Sequence, residues 1–207
     1  MTGTHRPALP ALAALLLAGG ALSACGGETP LAEASEEALE VASVDVGIAV
    51  GEQAPLDLPL MDSAGNATTL AGQMGANGLV LLLTRSADWC PYCKAQLIRT
   101  IEIEGAVGAR GYALASLSYD RPETLVDFAE AQGIGYTMLS DTQSETIDAL
   151  GLRDPQYEQG SKAFGVPRAA VLVLSPGGTV LAKHVAADFR ERPGNAGVLA
   201  IVDGVEG

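Results

Sequence analysis

Two cysteines, Cys90 and Cys93, have the spacing of a redox-active dithiol. They lie in the segment Ser-Ala-Asp-Trp-Cys-Pro-Tyr-Cys-Lys (residues 86–94), where an apolar run of strand length gives way to helical spacing. A cysteine at a helix N-terminus is stabilised as a thiolate by unpaired N–H groups and the helix dipole. Pro91 suits the first helical turn, and Cys93 falls on the same helical face as Cys90. We therefore predict that Cys90 attacks and that Cys93 resolves the resulting mixed disulfide.

Two other uses of this spacing are structural. A structural zinc site needs about four ligands. Beyond the N-terminal 25 residues the chain offers only Cys90, Cys93 and a distant His184, so we expect no metal site. A plain structural disulfide remains open, although a bridge across two residues closes almost no loop and contributes little stability. We expect the Cys90–Cys93 pair itself to be the redox group, with no cofactor.

The elements that must position this pair alternate between strands and helices. Hydrophobic patterning predicts strands over 79–84, 112–117, 136–139, 169–174 and 179–184, and helices over 90–104, 121–132, 144–150 and 196–202. Gly105 is expected to end the first helix, and Asp120 to cap the second.

Turn residues complete the predicted fold. A cluster at 62–66 indicates an N-terminal hairpin at a sheet edge, and Ser-Pro-Gly-Gly at 175–178 joins the last two strands in a tight turn. Alternation predicts a largely parallel central sheet covered by helices, and the closing hairpin makes that sheet mixed. The fold class is thus α/β, with a central mixed β-sheet flanked by helices and an N-terminal β-hairpin extension.

The N-terminus has the character of an export signal. His5 and Arg6 precede an Ala/Leu/Gly run over residues 8–24, which is too short for a comfortable membrane span. The ending Leu-Ser-Ala-Cys resembles the lipobox of bacterial lipoproteins, which implies cleavage before Cys25 and a lipid on its sulfur. An ordinary signal peptide with a chance cysteine is the alternative. We predict a signal peptide (1–24), an acidic flexible tether (25–46) and a redox domain (47–207).

Composition limits the partners. The chain has 207 residues, a formal net charge of −13 and 48% hydrophobic residues, which suits one domain with tails. An acidic surface repels phosphate backbones, so we expect no nucleic-acid binding. A lipid on Cys25 would tether the domain to a membrane surface of the cell envelope.

The dithiol segment and its surroundings resemble the thioredoxin superfamily. The resemblance is closest to its peroxiredoxin-like redoxin branch, the alkyl hydroperoxide reductase/thiol-specific antioxidant family. It rests on a Gly-x-x-x-Pro opening at 51–55, the stretch over 88–97 and a Leu-Ser-Asp at 139–141. It covers roughly residues 47–203 and implies a thioredoxin-like fold.

Other residues of the site are assigned through this resemblance. Family members carry a Thr three residues before the peroxide-reactive cysteine, where this chain has Ala87; Thr84 or Ser86 would have to substitute. A cis-proline faces the dithiol in thioredoxin folds, which points to Pro167; counting back from the turn at 175–178 places Ala169 there instead. Peroxiredoxins place an activating Arg near the same point, which points to Arg168. Trp89 is expected to pack beside the sulfur.

Three functions follow as expectations. The first is an exported thiol–disulfide oxidoreductase acting on a protein disulfide or thiol. The second is a thiol peroxidase, in which Cys90 becomes a sulfenic acid and condenses with Cys93. The third is a non-enzymatic lipoprotein module with a structural disulfide. The electron donor is not identified by any motif.

The lipobox generates a direct prediction. In a bacterial host, the full chain should incorporate labelled fatty acid and sediment with membranes, because cleavage exposes Cys25 for acylation. The Cys25→Ser variant should lose both properties while keeping Cys90 and Cys93. Equal membrane sedimentation of the variant and the parent would contradict a lipid anchor at Cys25.

Overall fold

The structure, a computed structural model, describes residues 41–205. Within these residues, seven strands form one sheet: β1 (Leu60–Asp62), β2 (Ala67–Thr68), β3 (Gly78–Leu83), β4 (Tyr112–Ser118), β5 (Thr137–Ser140), β6 (Ala170–Leu174) and β7 (Val180–Val185). The α-helices are α1 (Pro91–Thr100), α2 (Glu104–Ala109), α3 (Pro122–Gln132), α4 (Glu145–Ala149) and α5 (Asn195–Asp203). Short 3₁₀ turns lie at Ala71–Gln73 and Ile101–Ile103.

The sheet is mixed, as the sequence predicts. Its order is β2-β1-β5-β4-β3-β6-β7. The pairs β3–β4 and β4–β5 are parallel, whereas β6, β7 and the β1–β2 hairpin join antiparallel. The hairpin turns at the predicted cluster, where the Asp62 carboxylate accepts the backbone N–H groups of Ala64 and Asn66.

Strand β3 lies at the centre and is buried along its whole length. Alternate residues of a strand face opposite sides of the sheet. Leu79, Leu81 and Leu83 accordingly join one apolar cluster, while Val80 and Leu82 join another on the opposite face. The continuous apolar run of β3 thus arises because each face of the strand packs in its own apolar cluster. This packing on both faces holds the end of β3 in place.

The first helix departs from its predicted end. Gly105 does not terminate it; a 3₁₀ turn at Ile101–Ile103 leads into α2. Ile103 and Val107 are both buried in the apolar cluster, and this packing outweighs the low helix propensity of Gly105. The chain then turns at Gly111, which has a φ of +78°.

The folded domain begins earlier than predicted. Residues 42–46, assigned to the tether, lie along β7: the Val44 N–H donates to Val185 O, and the Ala187 N–H donates to Ala42 O. Val44 and Val46 also pack against the core, which the sequence reading overlooked. The predicted signal peptide (1–24), Cys25 and residues 25–40 of the tether lie outside the described residues. Over 41–205, no helix has the length and apolarity to cross a membrane.

Gly78 provides a test of the register at the start of β3. Its φ is +124°, and a Cβ there would lie 1.8 Å from the Leu174 carbonyl oxygen. We expect Gly78→Ala to lower the free energy of unfolding by roughly 3 kcal/mol or more, or to prevent folding. Gly65→Ala is the matched control, because Gly65 has a φ of +81° with no atom near its missing Cβ. Gly65→Ala should lower the free energy of unfolding, measured by urea denaturation, by about 1–2 kcal/mol. Equal losses of unfolding free energy in the two variants would contradict the close approach of β3 and β6.

Candidate active site

Cys90 occupies the N-cap of α1. Its Sγ accepts the Cys93 backbone N–H at 3.2 Å, and Pro91 holds the first helical position. The two sulfurs are bonded as a disulfide, with the Cα atoms 5.2 Å apart. Cys90 is 1% exposed and Cys93 is 0% exposed. The predicted placement of the pair at a strand-to-helix junction is therefore confirmed, with both sulfurs in a largely buried site.

A buried carboxylate, that of Asp120, holds the loop that leads to Cys90. It accepts the Ser86 hydroxyl and the Ala87 N–H, both at 2.7 Å, and the Ser118 hydroxyl at 3.0 Å. Burial raises the pKa of Asp120, and these hydrogen bonds act against that rise. The prediction that Asp120 caps α3 is wrong: the N-cap is Arg121, because the Asp120 side chain is committed to the dithiol loop.

Ser86 is the second anchor of this loop. Its Oγ accepts the N–H of Asp88 at 2.9 Å and of Trp89 at 3.3 Å, while its own proton goes to Asp120. With its hydroxyl engaged in this way, Ser86 shapes the turn before Cys90. It does not supply the hydroxyl that a Thr at position 87 would offer.

Trp89 lines a cleft next to the dithiol. The indole is 43% exposed and donates its Nε1–H to the Tyr119 hydroxyl at 3.0 Å. The cleft has a volume of about 570 Å³, and its lining includes Asp88, Trp89, Tyr157 and Lys162. Tyr157, which lies in the connection before β6, therefore borders the site.

Arg192 reaches the sulfurs from the loop between β7 and α5. Its Nη2 lies 3.1 Å from Cys93 Sγ and 4.0 Å from Cys90 Sγ. Its Nε donates to the Phe189 carbonyl and its Nη1 to Gln96 Oε1, each at 2.7 Å. Arg192 is 8% exposed, and burial together with Arg85 and Arg99 lowers its pKa to about 10, so it remains a cation at neutral pH.

Arg85 forms a second buried cation near the dithiol loop. It is 1% exposed and donates from Nη2 to the Tyr157 hydroxyl. Its guanidinium lies 5.4 Å, 5.1 Å and 3.9 Å from the ring centres of Trp89, Tyr157 and Phe189. Its Nε and Nη1 have no hydrogen-bond partner in the described part of the chain. Three aromatic rings thus surround this guanidinium and contribute cation–π stabilisation.

Pro167 and Arg168 differ from their predicted roles. All peptide bonds over 41–205 are trans, so Pro167 is not the cis-proline of the resemblance; it forms an isolated β-bridge with Arg153. The Arg168 N–H donates to Leu152 O, and the residue lines a separate cavity of about 230 Å³ with Asp188 and Arg190. Within residues 41–205, the arginine that hydrogen-bonds to the sulfurs is Arg192 and not Arg168.

His184 is not part of the site. It lies on β7 opposite Val171, and burial lowers its pKa. Its Nε2 has no partner among the described residues. Over 41–205, no group of three or more His, Cys, Asp or Glu side chains is arranged to hold a metal ion.

A dithiol at the N-terminus of a helix that follows a central buried strand defines a thiol-based redox protein of thioredoxin-like architecture. Residues 50–183 match the model of the AhpC/TSA family. This match spans more than half of the sequence, and the chain belongs to that family. The expected fold class and the expectation of a peroxiredoxin-like thiol oxidoreductase are thereby confirmed.

Curated relatives agree with this assignment. A putative peroxiredoxin of Mycobacterium tuberculosis is 29% identical over 134 residues, which cover 65% of this chain and 83% of the relative. Peroxiredoxin Bcp of Escherichia coli is 26% identical over 140 residues, which cover 68% of this chain and 86% of the relative.

Solved structures show the same fold. Peroxidoxin BcpB of Mycobacterium tuberculosis superposes with a TM-score of 0.62 at 18% identity, covering 74% of this chain and 96% of that one. Peroxiredoxin Q of Xanthomonas campestris superposes with a TM-score of 0.61 at 20% identity, covering 79% of this chain and 98% of that one.

Sequence reasoning missed three residues of the site, namely Asp120, Arg85 and Arg192. Asp120 carries an ordinary capping pattern, and Arg85 follows a buried strand like any loop charge. Arg192 lies about a hundred residues beyond the dithiol in a charged coil. Only Arg85, which lies close to the dithiol in sequence, could have been singled out by its position.

The Asp120 network generates a testable prediction. Asp120→Ala should lower the free energy of unfolding by about 1–3 kcal/mol, because it leaves the Ala87 N–H and two hydroxyls without an acceptor. It should also slow oxidation of the reduced dithiol about tenfold or more, because the loop no longer fixes Cys90. Urea denaturation and oxidation kinetics measure the two effects.

Asp141→Ala is the matched control for this experiment. The Asp141 carboxylate is also buried and accepts two backbone N–H groups, those of Glu145 and Ile147, but at the start of α4. It should lose comparable stability and retain dithiol kinetics. Equal slowing in both variants would show that Asp120 acts through stability alone.

Proposed function

We propose that this protein is a thiol peroxidase that uses Cys90 and Cys93. The Cys90 thiolate attacks the terminal oxygen of a hydroperoxide, the O–O bond breaks, and an alcohol or water leaves. Cys90 thereby becomes a sulfenic acid, and Cys93 condenses with it to form the disulfide, with release of one water. A dithiol or thiol donor then reduces the disulfide through exchange. No bound cofactor enters this cycle.

The observation that carries this proposal is the N-cap position of a nearly buried Cys90. The Cys93 N–H at its sulfur and the N-terminal end of α1 favour the thiolate, which is the attacking species. At 1% exposure the sulfur is more accessible to a small peroxide than to a folded protein disulfide. Membership of the AhpC/TSA family supports the same chemistry.

The missing Thr does not leave the site without donors. Ala87 replaces it, but the Cys93 backbone N–H donates to Cys90 Sγ at 3.2 Å. The N–H groups of the first turn of α1 supply further positive charge. Such fixed donors can stabilise the charge that develops on the oxygens during transfer.

Thiol–disulfide exchange with a protein is the second candidate function. Trp89, which precedes the motif, and Tyr92, which lies within it, are 43% and 44% exposed and offer an apolar surface. A non-enzymatic module with a structural disulfide is the weakest of the three, since a bridge across two residues adds little stability and a buried cation adjoins it.

We also propose that the protein acts outside the cytoplasm on a lipid anchor. This proposal rests on the signal-like residues 1–24 and the lipobox ending at Cys25. An exported dithiol requires an electron donor in the same compartment, of the dithiol or thiol class.

Pre-reduced protein mixed with hydrogen peroxide tests the function. Trp89 is the only tryptophan and adjoins Cys90, so its fluorescence should report oxidation. We expect oxidation about a hundredfold or more faster than that of free cysteine, because the site pre-organises donors around the thiolate. A rate equal to free cysteine, together with rapid exchange against a protein disulfide, would favour the second candidate.

Two variants assign the cysteines in this experiment. Cys90→Ser should abolish peroxide-dependent oxidation. Cys93→Ser should retain the first oxidation but accumulate a sulfenic acid, which a dimedone adduct detects by mass. Full turnover with a dithiol donor in the absence of Cys90 would contradict the proposed roles.

A further inference from the structure

The two sulfurs of the dithiol have different neighbours. Cys90 Sγ accepts the Cys93 backbone N–H at the N-terminus of α1. Cys93 lies within the first turn of the same helix and is 0% exposed. The closest donor recorded at its sulfur is Arg192 Nη2, at 3.1 Å. The helix end thus favours the charge on Cys90, whereas an arginine faces Cys93.

Cys93 needs such a partner to act as a nucleophile. A thiol buried without charged or polar neighbours has a raised pKa, and the protonated thiol does not attack. An adjacent cation reverses this effect by favouring the thiolate. Arg192 is held in place for that role by its donations to Gln96 and to the Phe189 carbonyl.

The charge of Arg192 is not neutralised elsewhere. None of the ion pairs recorded within residues 41–205 involves Arg192 or Arg85. The two hydrogen-bond acceptors of Arg192 other than sulfur are neutral oxygens. The charged groups that influence it are Arg85 and Arg99, both cations. A buried cation in this setting is stabilised by an anion, and reduction of the disulfide allows Cys93 to supply one.

We propose that Arg192 holds Cys93 as the resolving thiolate and so accelerates closure of the Cys90–Cys93 disulfide. This inference rests on the proposed peroxidase function. In the step, the Cys93 thiolate attacks the sulfur of the Cys90 sulfenic acid. The S–S bond forms, the S–O bond breaks, and the departing hydroxide takes a proton from solvent to become water. Cys93 is oxidised and the Cys90 sulfur is reduced, so the electrons balance.

Fast closure has a protective consequence. A sulfenic acid that waits for its partner is open to a second peroxide, which converts it irreversibly to a sulfinic acid. By keeping Cys93 ionised, Arg192 shortens the lifetime of the Cys90 sulfenic acid. It acts on the second chemical step rather than on the first, which distinguishes it from an arginine that activates the peroxide-reactive cysteine.

Single-turnover stopped flow on the full chain separates the two steps. The first phase depends on peroxide concentration and the second does not. We expect Arg192→Gln to leave the first phase within about threefold of the parent and to slow the second about tenfold or more. The slowing follows because each unit of pKa rise at Cys93 lowers its thiolate fraction about tenfold. Sulfinic acid at Cys90 should appear at lower peroxide. Arg192→Lys should restore much of the second phase.

Two control variants test whether the effect belongs to Arg192. Arg190→Gln removes an exposed charge from the same loop, where Arg190 pairs with Asp188, and should leave both phases unchanged. Arg168→Gln should also spare the second phase. A slowed first phase with an intact second phase in Arg192→Gln would overturn the proposal, as would equal slowing in Arg190→Gln.

A direct titration keeps the inference separate from the peroxidase proposal. In Cys90→Ser, the rate of Cys93 alkylation against pH gives the pKa of Cys93 without any peroxide. Adding Arg192→Gln should raise that pKa by roughly 1–3 units. An unchanged pKa would refute the role of Arg192 even if the peroxidase is active. A raised pKa in a protein that does not react with peroxide would instead refute only the proposed function.

Discussion

The junction between β3 and α1 is the constraint on which the site depends. A central strand buried on both faces ends where a helix must begin, and the first N–H groups of that helix have no intrahelical acceptor. The sulfur of Cys90 accepts one of them and so becomes the N-cap. The same contact that starts the helix therefore also favours a thiolate. One hydrogen bond thus serves both the fold and the chemistry. Its position is fixed because β3 cannot shift without disturbing the apolar clusters on its two faces.

The loop that crosses this junction is held from the neighbouring strand. Asp120 follows the end of β4, which pairs in parallel with β3, so the carboxyl ends of both strands meet at one edge of the sheet. Its carboxylate binds Ser86 and Ala87 together and fixes the turn before Cys90. The position that carries a hydroxyl in related proteins is Ala87 in this chain, and its backbone, rather than a side chain, makes the contact. The turn before Cys90 is therefore held by a backbone contact, although position 87 has no hydroxyl.

Two buried arginines adjoin the dithiol, and neither forms an ion pair within residues 41–205. Arg85 is enclosed by aromatic rings, and Arg192 is held by neutral oxygens and sulfur. Burying two cations in this way costs stability unless an anion joins them. A thiolate formed on reduction is such an anion, which links the redox state of the cysteines to the electrostatics of the loop between β7 and α5.

The sequence predicted the order of strands and helices, the hairpins, and the position of Cys90 and Cys93 at a helix start, because hydrophobic period, turn residues and motif spacing are local properties. It could not determine where the first helix ends, since burial of Ile103 and Val107 outweighs Gly105. Nor could it show that residues 42–46 join β7. Two further features came from the folded structure alone: Arg192, and not Arg168, hydrogen-bonds to the sulfurs, and Asp120 holds the dithiol loop. These contacts join residues far apart in the chain, and their positions depend on how the sheet and loops pack.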